Sequence, residues 1–347
     1  MYRTDGRLVV SATDLVGFLL CEHLTTLSGR VAAGELVAPE QDDPELQVLR
    51  DRGLEHEAAY LAQLEAEGLS IVRVSEDDGS VPVQQQVTAA ALDGEADVVF
   101  QGAFWDDADR AHGVTWRGHA DFLRRVEGGA GYEPEDTKLA RHVKPSAVLQ
   151  LCNYAELLGH MQGHDPEFLH VMLGGHDRVS LRYREFASYY RLAKARFLDA
   201  IAAGAPTEPY PVSHCNLCRW QATCERQWLA LDRPWLVAGI GREQARKLAK
   251  VGITTVRELA DGPETVTIKG MSTGVYERAR RQAGLQLSAR ALAADTPPPY
   301  ELLEPAEGVG LSVLPQPSPG DLFFDMEGDP FVGEHGIEYL FGVGWIN

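Results

Sequence analysis

Apolar residues recur at helical spacing over residues 11–34, where Ser11 and Thr13 stand as caps ahead of LVGFLLCEHLTTLSGRVAAG. They recur again over 44–67, where PELQVLRDRGLEHEAAYLAQLEAE predicts an amphipathic helix carrying Gly53 and His56. From about residue 70 to 138 the pattern changes to short β-rich runs, SIVRV, ADVVFQGAFW, TWRGHADFLRRV and YEPEDTK, which read as strands of one sheet. Residues 145–161 predict another helix, with Pro145 at the first position that helix starts favour. FLHVMLGG and VSLRYREF then read as strands, and SYYRLAKARFLDAIAAG as a helix. Helices, sheet, helix, strands, helix is an α/β order without the strict alternation of a doubly wound fold.

After Cys224 the pattern changes again. WLVAGIGREQARKLAKVGITTVRELA predicts two short helices around a Gly-containing turn. The stretch from 291 to 318 is rich in Pro, Glu and Ala with few apolar runs, which marks a linker. DLFFDMEGDPF and IEYLFGVGWIN follow as two strand-like segments, and no internal repeat is present.

At 347 residues with 44% hydrophobic content, the chain is long enough for two domains with cores of their own. No run approaches the 18 or so apolar residues of a membrane span, and MYRTDGRLVVSATDL lacks a signal pattern, so the expected location is the cytoplasm. A net charge of −19 argues against coating nucleic acid by charge alone. It leaves room for a metal-dependent nuclease, whose site needs carboxylates and whose basic surface need only be local.

YEPEDTKLAR puts Asp136 and Lys138 two apart at the end of a predicted strand, hence on one face, and Asp121 lies on the preceding strand in GHADFL. A hard cation such as Mg²⁺ takes one or two carboxylates plus water and substrate phosphate, which Asp121 and Asp136 can supply. Beside them Lys138 can orient a water or stabilise a scissile phosphate. Gln150 and Tyr154, four apart on the following predicted helix, share a face.

Taken in this order, the residues resemble the RecB-like branch of the PD-(D/E)xK nuclease superfamily. That branch has an early-helix G-x-x-H element, a strand Asp, a (D/E)-x-K strand and a Q-x-x-x-Y helix. The matching positions are Gly53 and His56, Asp121, Asp136 and Lys138, and Gln150 and Tyr154. The resemblance implies a restriction-endonuclease-like core with helices around a mixed sheet. It further implies Mg²⁺ or Mn²⁺ held by His56, Asp121, Asp136 and the carbonyl of Thr137, with Lys138 catalytic and Gln150 and Tyr154 supporting the site or the DNA strand. Glu133 and Glu135 flank the motif, but Asp136 alone has the x-K spacing.

Five cysteines at uneven spacing do not suggest a disulfide framework. HCNLCRWQATC supplies Cys215, Cys218 and Cys224, and Cys21 lies far upstream. Four thiolates suit either Zn²⁺ or a 4Fe-4S cluster. One early and three late cysteines around such a nuclease resemble the iron-sulfur nucleases of the AddB and CRISPR-associated RecB-like exonuclease groups. That resemblance implies a structural 4Fe-4S cluster rather than zinc. Cys152 reads as a small core residue.

AGIGREQARKLAKVGITTVRELA has the form of a helix-hairpin-helix, with Arg242, Arg246, Lys247 and Lys250 as a local basic surface. FFDMEGDPF resembles the first strand of RNase H-like DEDD exonucleases, Asp325 and Glu327 matching their D-x-E pair. The expected organisation is therefore a nuclease domain over 1–228, a helix-hairpin-helix region over 229–290, the linker over 291–318, and the incomplete start of an RNase H-like domain over 319–347. The last element also implies a piece of a longer protein, of the bacterial RecB-like kind that can include a helicase region. The expected function is a metal-dependent exonuclease on single-stranded DNA ends, in repair or foreign-DNA processing. The rivals are a non-catalytic nucleic-acid-binding module on the same scaffold and chemistry carried by the DEDD-like segment.

Overall fold

The computed structural model describes all residues except 42, 176, 294, 330, 331, 333–335, 346 and 347, and the side chain of 45. The fold is mixed α/β, with ten α-helices and ten strands among the described residues. Two compact units divide the chain, the first comprising Met1–Glu208 and the second beginning at Pro209. The boundary expected at residue 228 thus falls inside the second unit. No helix among the described residues is long and apolar enough to cross a membrane.

The first unit is built on an eight-stranded mixed sheet. Its strands are β1 (Tyr2–Thr4), β2 (Arg7–Ser11), β3 (Ile71–Arg73), β4 (Val98–Asp106), β5 (Val114–Arg125), β6 (Tyr132–Lys138), β7 (Phe168–Leu173) and β8 (Arg178–Arg182). The helices are α1 (Ala12–Leu20), α2 (Glu22–Ala32), α3 (Pro44–Ala66), α4 (Val81–Asp93), α5 (Pro145–Gln162) and α6 (Tyr183–Ala203). The main core joins Leu15 and Phe18 of α1, Trp116 of β5, Leu151 and Leu158 of α5, and Tyr190 and Phe197 of α6. A smaller one packs Tyr60, Leu61 and Leu64 of α3 on Val98, Phe122 and Met172.

Several expectations change. The single helix over 11–34 is two, because Cys21 is extended (φ −159°, ψ 104°) and ends α1 while starting α2. Helix α4 interrupts the stretch expected to be only strands; VPVQQQVTAAALD has Pro at its start and good helix formers after it, but little amphipathic pattern to announce it. Strand β8 stops at Arg182, so YREF opens α6 instead of continuing the strand.

The central strand β5 positions the site. Strand β4 runs antiparallel along one of its edges, from Trp116 to Arg124. The other edge is shared: β2 pairs in parallel with residues 114–117, and β6 pairs antiparallel with 122–125. Between these two neighbours, residues 118–121 of β5 face a fork in the sheet.

The second unit holds α7 (Gln221–Leu231), α8 (Arg242–Ala249), α9 (Val256–Ala260) and α10 (Thr273–Arg290), packed around Leu248, Val256, Leu259, Tyr276 and Ala283. The two short helices expected around a glycine are α8 and α9. Gly252 between them has φ +85°, a left-handed conformation that glycine adopts without strain. Strands β9 (Leu322–Asp329) and β10 (Ile337–Trp345) form an antiparallel ribbon in which Asp325 lies opposite Gly342 and Glu327 opposite Leu340. Pro330, Phe331, Ile346 and Asn347 of the two expected strand runs lie outside the described residues.

Candidate metal centre in the sheet fork

The β5·β6 ladder ends at the pair Phe122–Glu135, just before Asp121 and Asp136 would meet. The strands part there, and the backbone N–H of Thr137 donates to Asp121 Oδ2 at 2.9 Å, joined by the Thr137 hydroxyl at 3.1 Å. A side chain thus takes over a ladder bond, as a backbone donor leaving a sheet requires. On its far edge β6 continues in parallel register with β7, where Asp136 lies opposite Val171 and Lys138 opposite Leu173.

Asp136 is fully buried, and no backbone or neutral side-chain donor is recorded on either of its carboxylate oxygens. Lys138 Nζ stands 2.6 Å from Oδ2 as an ion-pair partner. Burial, and then the nearby charge of Asp121, push the Asp136 carboxyl well above the ordinary carboxylate range. Burial works to lower Lys138, but the charges of Asp136 and Asp121 outweigh it, so the ammonium holds its proton more firmly than an ordinary lysine. A buried carboxylate is costly, and Lys138 offsets part of that cost while leaving Oδ1 for a further cation.

The neighbouring glutamates have other work. Glu135, also fully buried, accepts from Arg178 Nε and Nη2 at 2.9 and 2.7 Å and from the Tyr60 hydroxyl. Glu133 accepts from the Phe168 backbone N–H at 3.0 Å and lies 2.7 Å from His170 Nε2. Strand alternation puts both on the face opposite Asp136 and Lys138.

On α5, Gln150 Nε2 donates to the Tyr154 hydroxyl at 3.0 Å, and the Tyr154 ring stacks on Phe104 at 6.0 Å between centroids. Burial raises the Tyr154 phenol, and Asp136 and Asp121 act in the same direction, so it is a neutral phenol within electrostatic reach of both carboxylates. The ring lies over Gly118, where a Cβ would come within 2.8 Å of Tyr154 Cε1. Gly118→Ala is therefore expected to destabilise the first unit by about 1–3 kcal/mol through overpacking. Urea unfolding followed by tryptophan fluorescence checks this, and an unchanged midpoint would show that the ring moves freely.

Helix α3 brings two titratable side chains toward the sheet. His56 Nε2 stands 3.4 Å from the Met172 carbonyl. Among the described residues no group of three or more His, Cys, Asp or Glu side chains is placed together in a way that would hold a metal ion, the carboxylates of the fork and the cysteines alike. The residue next to it, Glu57, accepts from Gln101 Nε2 at 2.7 Å. Burial first, and then Asp121, raise the Glu57 carboxyl, while Gln101 and Lys138 pull it down. Gln101 lies across from Asp121 in the β4·β5 register and has φ +57°, a strained conformation for a non-glycine residue inside a strand. Sequence reasoning missed both residues; the E-H-E run around His56 offered Glu57, but nothing local marks Gln101. A Cβ at Gly53 would meet open space, so that glycine is not imposed by packing.

None of the five cysteines is in a disulfide. Cys21 is the joint between α1 and α2 in the first unit. In the second unit Cys215 lies in the 3₁₀ turn Ser213–Leu217, Cys218 caps that turn, and Cys224 is in the first turn of α7. Val212 N–H donates to Cys215 Sγ at 3.3 Å. Cys152 is fully buried on α5, and desolvation pushes its thiol up to about 12, as befits a core residue.

Neither a family model nor a curated protein matches the chain. A solved structure described as "Crystal structure of SSO0001" is similar at 16% identity over 65% of this chain and 89% of that one. Its TM-score of 0.30 is too low to assign fold or function.

Proposed function

We propose that this chain is a metal-dependent deoxyribonuclease with a PD-(D/E)xK core, acting on single-stranded DNA ends. The observation that carries the reading is Asp136, a buried carboxylate paired at Oδ2 with Lys138 and set beside Asp121 where the sheet forks. Two carboxylates suffice for Mg²⁺ or Mn²⁺, which keep several waters and also take a substrate phosphate oxygen. Such an ion would activate a water and neutralise charge developing on the phosphate.

The chain's own residues supply the rest. Asp121 and Asp136 hold negative charge on one side of the fork, and Asp121 keeps its place by accepting both Thr137 donors. With its side chain about one-third exposed, Lys138 is positioned to meet a phosphate oxygen from solvent while pairing with Asp136. Tyr154, neutral and held by Gln150, lies within electrostatic reach of both carboxylates.

End-labelled single-stranded and duplex DNA, incubated with Mg²⁺, Mn²⁺ or chelator, tests the proposal. Cleavage that needs the metal and starts from single-stranded ends is the expected result, and metal-independent cleavage would contradict it. A second reading is a non-catalytic nucleic-acid-binding module on the same scaffold. That reading expects DNA binding without cleavage in any metal.

For the cysteines we propose a structural 4Fe-4S cluster. Cys215, Cys218 and Cys224 on one turn and the helix after it are a thiolate set suited to iron or zinc. The inclusion of Cys21 rests on the sequence alone. Anaerobic preparations should be brown and contain about four irons per chain; stoichiometric zinc without iron would replace the cluster by a zinc site.

A further inference from the structure

Beside α5 and α6 lies a groove of about 330 Å³ that no part of the proposed reaction uses. Its walls are apolar, with Val143, Pro145, Val148, Leu181, Phe186 and Tyr189 among them. Tyr189 is 59% exposed, as is Leu192 one turn further along α6. Water-facing aromatic and aliphatic side chains at this spacing form an apolar surface without a partner on the unit itself.

The charge around the groove runs against that of the chain. The whole protein carries −19, yet the segment from 139 to 145 holds Arg141, His142 and Lys144 and no acidic residue. Arg184 and Arg191 are exposed on α6, whose acidic residues are Glu185 beside them and Asp199 two turns beyond Arg191. This segment also leads directly from Lys138 into Val143 and Pro145 of the groove wall. Seven residues span at most about 25 Å, so the groove opens within a few nucleotides of the fork.

Size selects among occupants. An amphipathic helix needs a long trough for anchors spread over two turns, whereas a short apolar slot rimmed by cations suits one flat ring on a phosphate backbone. We propose that this groove receives a base of a single-stranded nucleic acid, stacked against Tyr189, while Arg141, Lys144 and Arg184 hold its backbone. The inference rests on the nuclease reading and adds to it where the strand runs and why a single strand is required, since paired bases are unavailable for stacking.

The test uses the full chain in chelator, which prevents cleavage, and fluorescence anisotropy with a labelled single-stranded oligonucleotide and its abasic counterpart. The wild-type protein should favour the base-bearing strand by about tenfold, the scale of losing one stacked base. Tyr189→Ala should bind both strands alike, and Tyr189→Phe should keep the preference. A Tyr189→Ala protein that prefers bases as strongly as the wild type would overturn the inference. So would a concentration-dependent dimer, seen by sedimentation, that Tyr189→Ala abolishes, since a second copy would then fill the groove. Either outcome together with metal-dependent DNA cleavage leaves the nuclease reading intact, whereas failure to bind any oligonucleotide would remove both.

Discussion

Asp136→Asn should lower DNA cleavage by roughly 10²-fold or more, the scale of losing one preorganised electrostatic contact, and should at the same time stabilise the metal-free protein. The two effects have one cause. In the fold the Asp136 carboxyl binds its proton more tightly than it would in the unfolded chain, because burial and then Asp121 disfavour its charge. The stability from that group is fully present below the ordinary carboxylate range and is lost as pH rises through the raised folded value. Wild-type protein in chelator should therefore lose melting temperature on going from acid toward neutral pH, and Asp136→Asn should lose less. At neutral pH the variant should be the more stable of the two in chelator, because the amide removes a buried charge that burial and Asp121 disfavour more than the Lys138 ion pair favours it. Added Mg²⁺ or Mn²⁺ should raise the wild-type melting temperature, since a ligand that binds only the folded state stabilises it. The variant should not respond. Differential scanning calorimetry with and without chelator reads all of this, and a variant less stable than the wild type in chelator would show that Asp136 is an ordinary structural carboxylate.

Arg178→Ala should do the opposite, destabilising strongly while leaving the chemistry alone. Glu135 is fully buried and is held by two guanidinium bonds and the Tyr60 hydroxyl. Removing the guanidinium leaves a buried carboxylate with one neutral donor, a change that costs about 3–5 kcal/mol when one partner of a buried pair is lost. Arg178 is itself partly exposed, so the lower end of that range is expected. Because Glu135 and Asp136 face opposite sides of β6, single-turnover cleavage at low temperature should match the wild type. A chemical-denaturation midpoint unchanged in Arg178→Ala would refute the structural role, and lost cleavage in folded protein would tie Glu135 to the site.

The parts of this account that the chain discloses locally are those with short spacing. Asp136 and Lys138 fall on one face because strand side chains alternate, and Gln150 meets Tyr154 because residues four apart on a helix are neighbours. Contacts set by tertiary register were not readable. Gln101 and Asp121 come together only through the pairing of β4 with β5, and Glu57 joins them only because α3 packs over that sheet. The break at Cys21 was hidden because apolar periodicity continues through it, and α4 because its face is scarcely patterned.

The central claim is that Asp121, Asp136 and Lys138 act together as a metal-dependent hydrolytic centre. It is tested most directly by single-turnover cleavage of an end-labelled single strand in Mg²⁺, comparing wild type with Asp121→Ala and Lys138→Ala whose folding is verified by circular dichroism. The account predicts that each variant is folded and slower by roughly 10²-fold or more, and that chelator silences the wild type. Folded variants that cleave at the wild-type rate would contradict it.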